Sequence, residues 1–476
     1  MNALPFQFIL TIGLIISIKA SAADFFFAAN NDQSTGSNNF EFYISLGNAF
    51  AERKQLDDAI TNYTIAIQLK PSNPLYYFYR GYAYAQKNDW TNAIKDYTEA
   101  IYLSPNDARY YGNRGTMYYN LGDFNKSIDD LTKSIHLDPT FAANYDRCGL
   151  AYAALEKYDL AIQCFTNAIR YSSRDFGAYK NLGHLFLAKG NFEMAIANLD
   201  KAIRLNRQDP KVFAYRGHAY LGKGNLNQAI QDFDTALNLD PENATAYLGK
   251  GYIFYSERNF TNALSNLNKA INLEPTNILT FHTRGSLFLA QSNYSKAIGD
   301  FTTVLHYSPK NFSALENRAL AFSENGSADK AIEDYTTIIK FYPRYIPAYG
   351  ERAAVYLRDK NFQAAIDDFD QIIQMAPEYA EAYNELAWLL ATCPEAKLRD
   401  GKKAIILAQK ACELTEWKKW YYVGTLAAAH AENGNFDQAI QYQQKMLQMS
   451  DLPDDKRVEE NQRLELYQKK KPFHNF

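Results

Sequence analysis

Two of the chain's four cysteines, Cys148 and Cys164, stand sixteen residues apart. Two thiols held close enough can join as a disulfide in an oxidising compartment, or remain as a small buried pair. The same spacing separates six couples of opposite charge: Arg80 and Asp96, Arg114 and Asp130, Arg216 and Asp232, Arg284 and Asp300, Arg318 and Asp334, Arg352 and Asp368. A guanidinium facing a carboxylate makes a two-pronged ion pair. Three histidines, His184, His218 and His282, offer ring nitrogens for hydrogen bonding. They lack the Cys or carboxylate at set spacing that a metal site needs. The chain has no glycine-rich phosphate loop, no metal-spaced Cys or His cluster and no serine nucleophile elbow. It is therefore read as no enzyme, with no cofactor.

What must position these residues is a repeat. Gly47, Gly81, Gly115, Gly149, Gly183, Gly217, Gly251 and Gly285 follow one another at intervals of 34, and Ala319, Ala353 and Ala387 keep the register. Ala59, Ala93, Ser127, Ala161, Ala195, Ala229, Ala263, Ala297, Ala331 and Ala365 form a second series. Each unit holds two segments with helical apolar spacing, joined by a turn such as NLGDF at 120–124. Small residues at the Gly and Ala positions let the two helices, A and B, approach closely. Prolines such as Pro71, Pro105 and Pro139 end helix B. No unit can bury its own apolar face, so the units must stack.

Position 7 of each unit, just before the glycine series, co-varies with position 23. Where Asp is absent Arg is absent too: Leu46 meets Asn62, Leu182 meets Asn198, Lys250 meets Asn266 and Cys148 meets Cys164. Co-varying positions usually touch. The Arg–Asp couples are thus expected to face each other between helices A and B of one unit, orienting the helices more than stabilising them. Cys148 and Cys164 occupy one such contact and are a candidate disulfide.

The period and its residue types resemble the tetratricopeptide repeat (TPR). The resemblance implies an all-α, right-handed superhelical solenoid of about twelve helix–turn–helix repeats with a C-terminal capping helix. Ten units of 34 residues fill 40–379. Two more occupy 380–450, the first with an inserted loop at 391–403, and a capping helix and tail occupy 451–476. LAWLLATCPEAKLRDGKKAIILAQKACELTEW, TLAAAHAENGNFDQAI and NQRLELYQKKKPF resemble the closing module of many bacterial proteins of this family. The family's geometry puts helix-A positions 2, 5, 9, 12 and 13 on a concave groove. Phe78, Tyr82, Tyr119, His184, His218, Tyr252, Tyr255 and His282 fall there and are the candidate partner-binding residues. A family clamp for C-terminal carboxylates is not matched, because Lys180 is followed in the next unit by Tyr215 where Asn is required.

The formal charge of −3 leaves no electrostatic footprint for nucleic acid. The apolar run FILTIGLIISI (8–18) followed by ASA (20–22) reads as a signal peptide over 1–22, with a polar linker over 23–39. The expectation is an exported bacterial protein, periplasmic or secreted, or anchored if the signal stays uncleaved, with no stable membrane span after cleavage. It is read as a scaffold holding a peptide or partner protein in the groove. The alternatives are a cell-envelope glycan binder using groove aromatics and a non-catalytic subunit of an envelope enzyme.

Overall fold

In the computed structural model, residues 40–474 are described; the expected signal peptide and linker lie outside them. Twenty-five α-helices, in antiparallel pairs until a last single one, make up the described residues, with no strand among them. They form two compact units that divide between Pro241 and Glu242. Each is a stack of helix pairs. No described helix is long and apolar enough to cross a membrane.

The local code recurs along the array. An Asn or Asp usually precedes helix A and accepts a hydrogen bond from its first turn, as Asn73 does from the Leu75 amide and Asp209 from the Lys211 amide. Helix A ends in a left-handed residue at position 15. Glycine serves at Gly122, Gly190, Gly224 and Gly326, whereas Lys54, Asn88, Glu156, Arg258, Ser292 and Lys360 hold φ near +60°. The amides that follow turn back onto helix A, as Asp89 N does to the Tyr84 carbonyl at 2.9 Å. The chain thus reverses within a few residues and helix B lies against helix A.

Sixteen residues also separate the apolar partners of this packing. The large side chain at position 24 sits on the glycine at position 8. Leu199, Phe233, Leu267 and Phe301 are all fully buried there. At Gly183 an added Cβ would stand 2.4 Å from Leu199 Cγ, closer than any real contact. Gly183→Ala must therefore wedge the two helices apart, and is expected to cost about 1–3 kcal/mol. Gly424, in Trp420–Glu432, has its nearest neighbour 3.7 Å away. Gly424→Ala is expected to be neutral or to stabilise by up to about 1 kcal/mol through helix propensity alone. Hydrogen exchange in the two repeats separates these outcomes; equal protection losses would show that the close approach does not matter.

The inserted loop carries a short 3-10 turn, Ala396–Leu398, before helix B resumes at Gly401–Leu414. The last helix, Arg457–Gln468, covers the end of the array. Its Tyr467 is fully buried against Ala427, Ala431 and Ala439. Beside it, the buried Gln443 amide donates to the Glu460 carboxylate at 2.9 Å, and Glu460 also accepts from Arg463 at 2.9 Å. The Arg463 guanidinium lies against the rings of Trp388 and Phe473, 4.9 and 4.6 Å from their centroids, and the two rings touch each other, their centroids 6.0 Å apart.

Candidate functional site

The six Arg–Asp couples are all joined, each by two prongs. Arg80 Nε and Nη2 reach Asp96 at 2.9 and 2.8 Å. Arg216 reaches Asp232 at 2.8 and 2.7 Å, and Arg284 reaches Asp300 at 2.8 and 2.7 Å. Arg114–Asp130, Arg318–Asp334 and Arg352–Asp368 repeat the geometry. The carboxylates are buried while the guanidinium edge stays partly wet. Burial outweighs the guanidinium at Asp96, Asp232 and Asp368, which titrate above the ordinary carboxylate value. Where Arg is missing, Asn at position 23 turns back on its own helix. Asn62, Asn198 and Asn266 donate to the carbonyls of Asp58, Met194 and Asn262. This accounts for the co-variation. A buried carboxylate needs an external donor, whereas an amide supplies its own.

Sequence reasoning missed the third partner. The remaining nitrogen of each Arg reaches sixteen residues backward, to position 25 of the preceding repeat. Arg80 donates to Thr64 (3.0 Å), Arg114 to Thr98 (3.0 Å), Arg216 to Asp200 (2.6 Å) and Arg284 to Asn268 (2.7 Å). Arg318 and Arg352 donate to Thr302 and Thr336. Each Arg therefore ties three helices from two repeats. The fourth repeat keeps the arrangement with other chemistry. Cys148 is buried, faces the half-buried Cys164 within hydrogen-bond reach, and also meets Thr132, sixteen residues before it. Both are free thiols.

The expected groove residues have several fates. In the first unit Phe78 packs between Tyr97 and Tyr110, with centroids at 5.9 and 5.4 Å. Tyr119 rests on Phe124 and lies under the Arg147 guanidinium. Tyr82 is half-buried beside Tyr97. His184 stacks on Tyr215 at 4.4 Å, and desolvation lowers its basicity. His218 stands edge-on to Phe233 at 5.0 Å. In the second unit Tyr252 is 47% exposed, while Tyr255 leans on Phe260. His282 is edge-on to Phe301, and its Nε2 lies 3.0 Å from Ser313 Oγ. Among the described residues no group of three or more His, Cys, Asp or Glu could hold a metal ion.

A second polar feature carries no sequence signal. Asp146, at groove position 5 of the fourth repeat, has one long hydrogen bond, from Asn181 Nδ2 at 3.5 Å. Burial and the nearby charge of Asp175 push its carboxyl up to about 6, against the opposing pull of Arg147, Asn181 and Lys180. Lys180 is engaged elsewhere, with Asp209 at 2.9 Å. Gly177 has no side chain to cover this spot. The point where its Cβ would lie is 3.3 Å from Asp175 Oδ1 and 3.7 and 3.8 Å from the two Asp146 oxygens. Two carboxylates thus lie side by side at Gly177 on the helix-A face, and Asp175 Oδ1 also accepts from the Ala178 amide at 3.0 Å. A cation with N–H donors suits it.

Profiles described as TPR repeat or tetratricopeptide repeat match residues 47–88, 81–122, 183–224 and 217–257, then 108–141, 282–346, 142–175 and 244–277. Together they span more than half of the chain. No curated protein matches it. Among solved structures, MamA is 27% identical over 36% of this chain and 93% of its own, with a TM-score of 0.34. YrrB, a TPR protein with an unusual peptide-binding site, is 26% identical over 40% of this chain and 97% of its own, with a TM-score of 0.35. Yeast Tom70 is 18% identical over 90% of this chain and 95% of its own, with a TM-score of 0.34.

Proposed function

Since the chain belongs to the tetratricopeptide repeat family, we propose that it is a non-catalytic scaffold that holds an extended segment of a partner protein on the helix-A face of its first unit. Arrays of this family are in general protein-interaction scaffolds. The observation that carries the specific reading is the pair of carboxylates, Asp146 and Asp175, that lie side by side at Gly177. A Lys or Arg side chain of the partner would enter there, with the His184–Tyr215 stack contributing aromatic surface from the fifth and sixth repeats. Export from the cell belongs to the same reading, on the strength of the N-terminal sequence.

Asp146 also bears a cost for its burial. Its carboxyl is raised to about 6 in the folded chain, above its ordinary value of 3.8, so the neutral form is the favoured one. The carboxylate therefore opposes folding above about pH 6, and this penalty fades as pH falls through 6 toward 4. Asp146→Asn is expected to stabilise the fourth repeat by about 1–2 kcal/mol at pH 7.5, because water still reaches the partly exposed carboxyl and softens its cost, and by almost nothing near pH 4. The same variant should lose the partner. Capture from cell extracts with the parent chain and with Asp146→Asn checks both halves. The expected result is a partner released below about pH 6 and lost on substitution while Tm rises. Equal capture by the two chains would overturn the site.

A further inference from the structure

Cys148 and Cys164 form the one position-7 and position-23 couple with thiols in place of polar groups or Leu. In the other repeats of the first unit the contact is Arg–Asp (Arg80, Arg114, Arg216) or Leu–Asn (Leu46, Leu182). A Cys–Cys couple keeps the place of the Arg node, including the backward contact to position 25, here Thr132. It loses its charge. The two thiols bridge helix A (Ala142–Ala154) and helix B (Tyr158–Tyr171).

We propose that Cys148 and Cys164 are a redox-active dithiol which closes to an intramolecular disulfide on meeting a disulfide oxidant, covalently stapling the fourth repeat. The accessibilities set the order of events. Cys164 is half-buried and can be reached from solvent, whereas Cys148 is 2% exposed. Its neighbour Cys148 lowers the Cys164 pKa, and the more exposed Cys164 is the first thiolate. The Cys164 thiolate attacks one sulfur of the oxidant disulfide. An S–S bond forms to Cys164, the oxidant's S–S bond breaks, and its first thiolate leaves and takes up a proton. Cys148 then loses its proton and attacks Cys164 Sγ, and the second oxidant thiolate departs. The dithiol has given up two electrons and two protons, and one disulfide has become two thiols. Cys393 and Cys412 are both buried in the core of the second unit and offer no half-buried entry sulfur.

The test uses the full native chain equilibrated with mixtures of oxidised and reduced glutathione, then acid-quenched, alkylated and mapped by mass spectrometry. Two of the four thiols should disappear together, in a peptide cross-linked between Cys148 and Cys164. Amide exchange in the fourth repeat should slow by roughly a hundredfold. Cys148→Ser should stop the reaction as a glutathione adduct on Cys164. The double variant Cys148→Arg/Cys164→Asp, which restores the node found in six other repeats, should fold and show no redox response. Four free thiols in the parent after full oxidation would overturn the proposal. So would a persistent adduct on Cys164 in the parent, because it would mean that Cys148 cannot reach.

Discussion

Arg216→Leu is expected to destabilise the sixth repeat by about 3–5 kcal/mol, more than any other single charge removal in the first unit. Asp232 is 5% exposed and its two oxygens accept from Arg216 alone among the described residues. Its carboxyl is already raised by burial with the guanidinium in place, so removing the guanidinium leaves a charge with neither water nor donor. Arg216 also holds Asp200 at 2.6 Å, so its loss removes one tie to the fifth repeat's helix B. The remedy is written elsewhere in the chain. Arg216→Leu combined with Asp232→Asn recreates the Leu182–Asn198 couple, in which the amide bonds its own helix. This double variant should recover most of the loss. Hydrogen exchange in the fifth and sixth repeats is the appropriate measure, because a repeat array does not unfold in one step. A double variant as unprotected as the single one would show that burial of the carboxylate is not what the guanidinium answers.

Tyr467→Ala is expected to cost a similar amount, about 3–5 kcal/mol, and to cost it locally. Tyr467 is fully buried on Ala427, Ala431 and Ala439, and its hydroxyl has no partner among the described residues. Removing the ring opens a cavity under the last helix and exposes Phe436 and Ile440, which pack against the same cluster. Tyr467→Phe removes only the unpartnered hydroxyl and should be neutral or slightly stabilising. Exchange should quicken in residues 420–474 and hardly change in the first unit. A loss spread evenly over the chain would contradict nearest-neighbour stability.

The repeat was legible because two small residues per unit recur for a steric reason, as the 2.4 Å approach at Gly183 shows. The Arg–Asp contact was legible because its two positions change together. Its backward partner was not, because Thr64, Asp200 and Asn268 differ in type yet all accept a hydrogen bond. A search for matched identities passes over a conserved acceptor. Groove position alone did not separate filled from open sites either. Phe78 lies on the expected face but fills the space against Tyr110, whereas Tyr252 on the same face is open. Asp146 gave no signal at all. One aspartate at position 5 is unremarkable in sequence, and only the missing side chain of Gly177 and the nearness of Asp175 give it a role.

The backward reach of each arginine bears on how such a chain can lengthen or shorten. Thr166 stands at position 25 although the repeat after it offers Leu182 and no guanidinium. Within each unit, then, the acceptor is in place whether or not it is used. The demanding half of the tie, a buried carboxylate with its guanidinium, lies inside one 34-residue cassette, and only the tolerant half crosses to the neighbour. A cassette can be duplicated or excised whole and the buried Asp of each Arg–Asp couple keeps its guanidinium, while the freed nitrogen finds another Thr, Asp or Asn. Excising the eighth cassette, for instance, would carry off Arg284 and Asp300 together and bring Arg318 to Asn268. Recombination between cassettes splits none of the six Arg–Asp couples, so the array can change length without having to redesign these contacts.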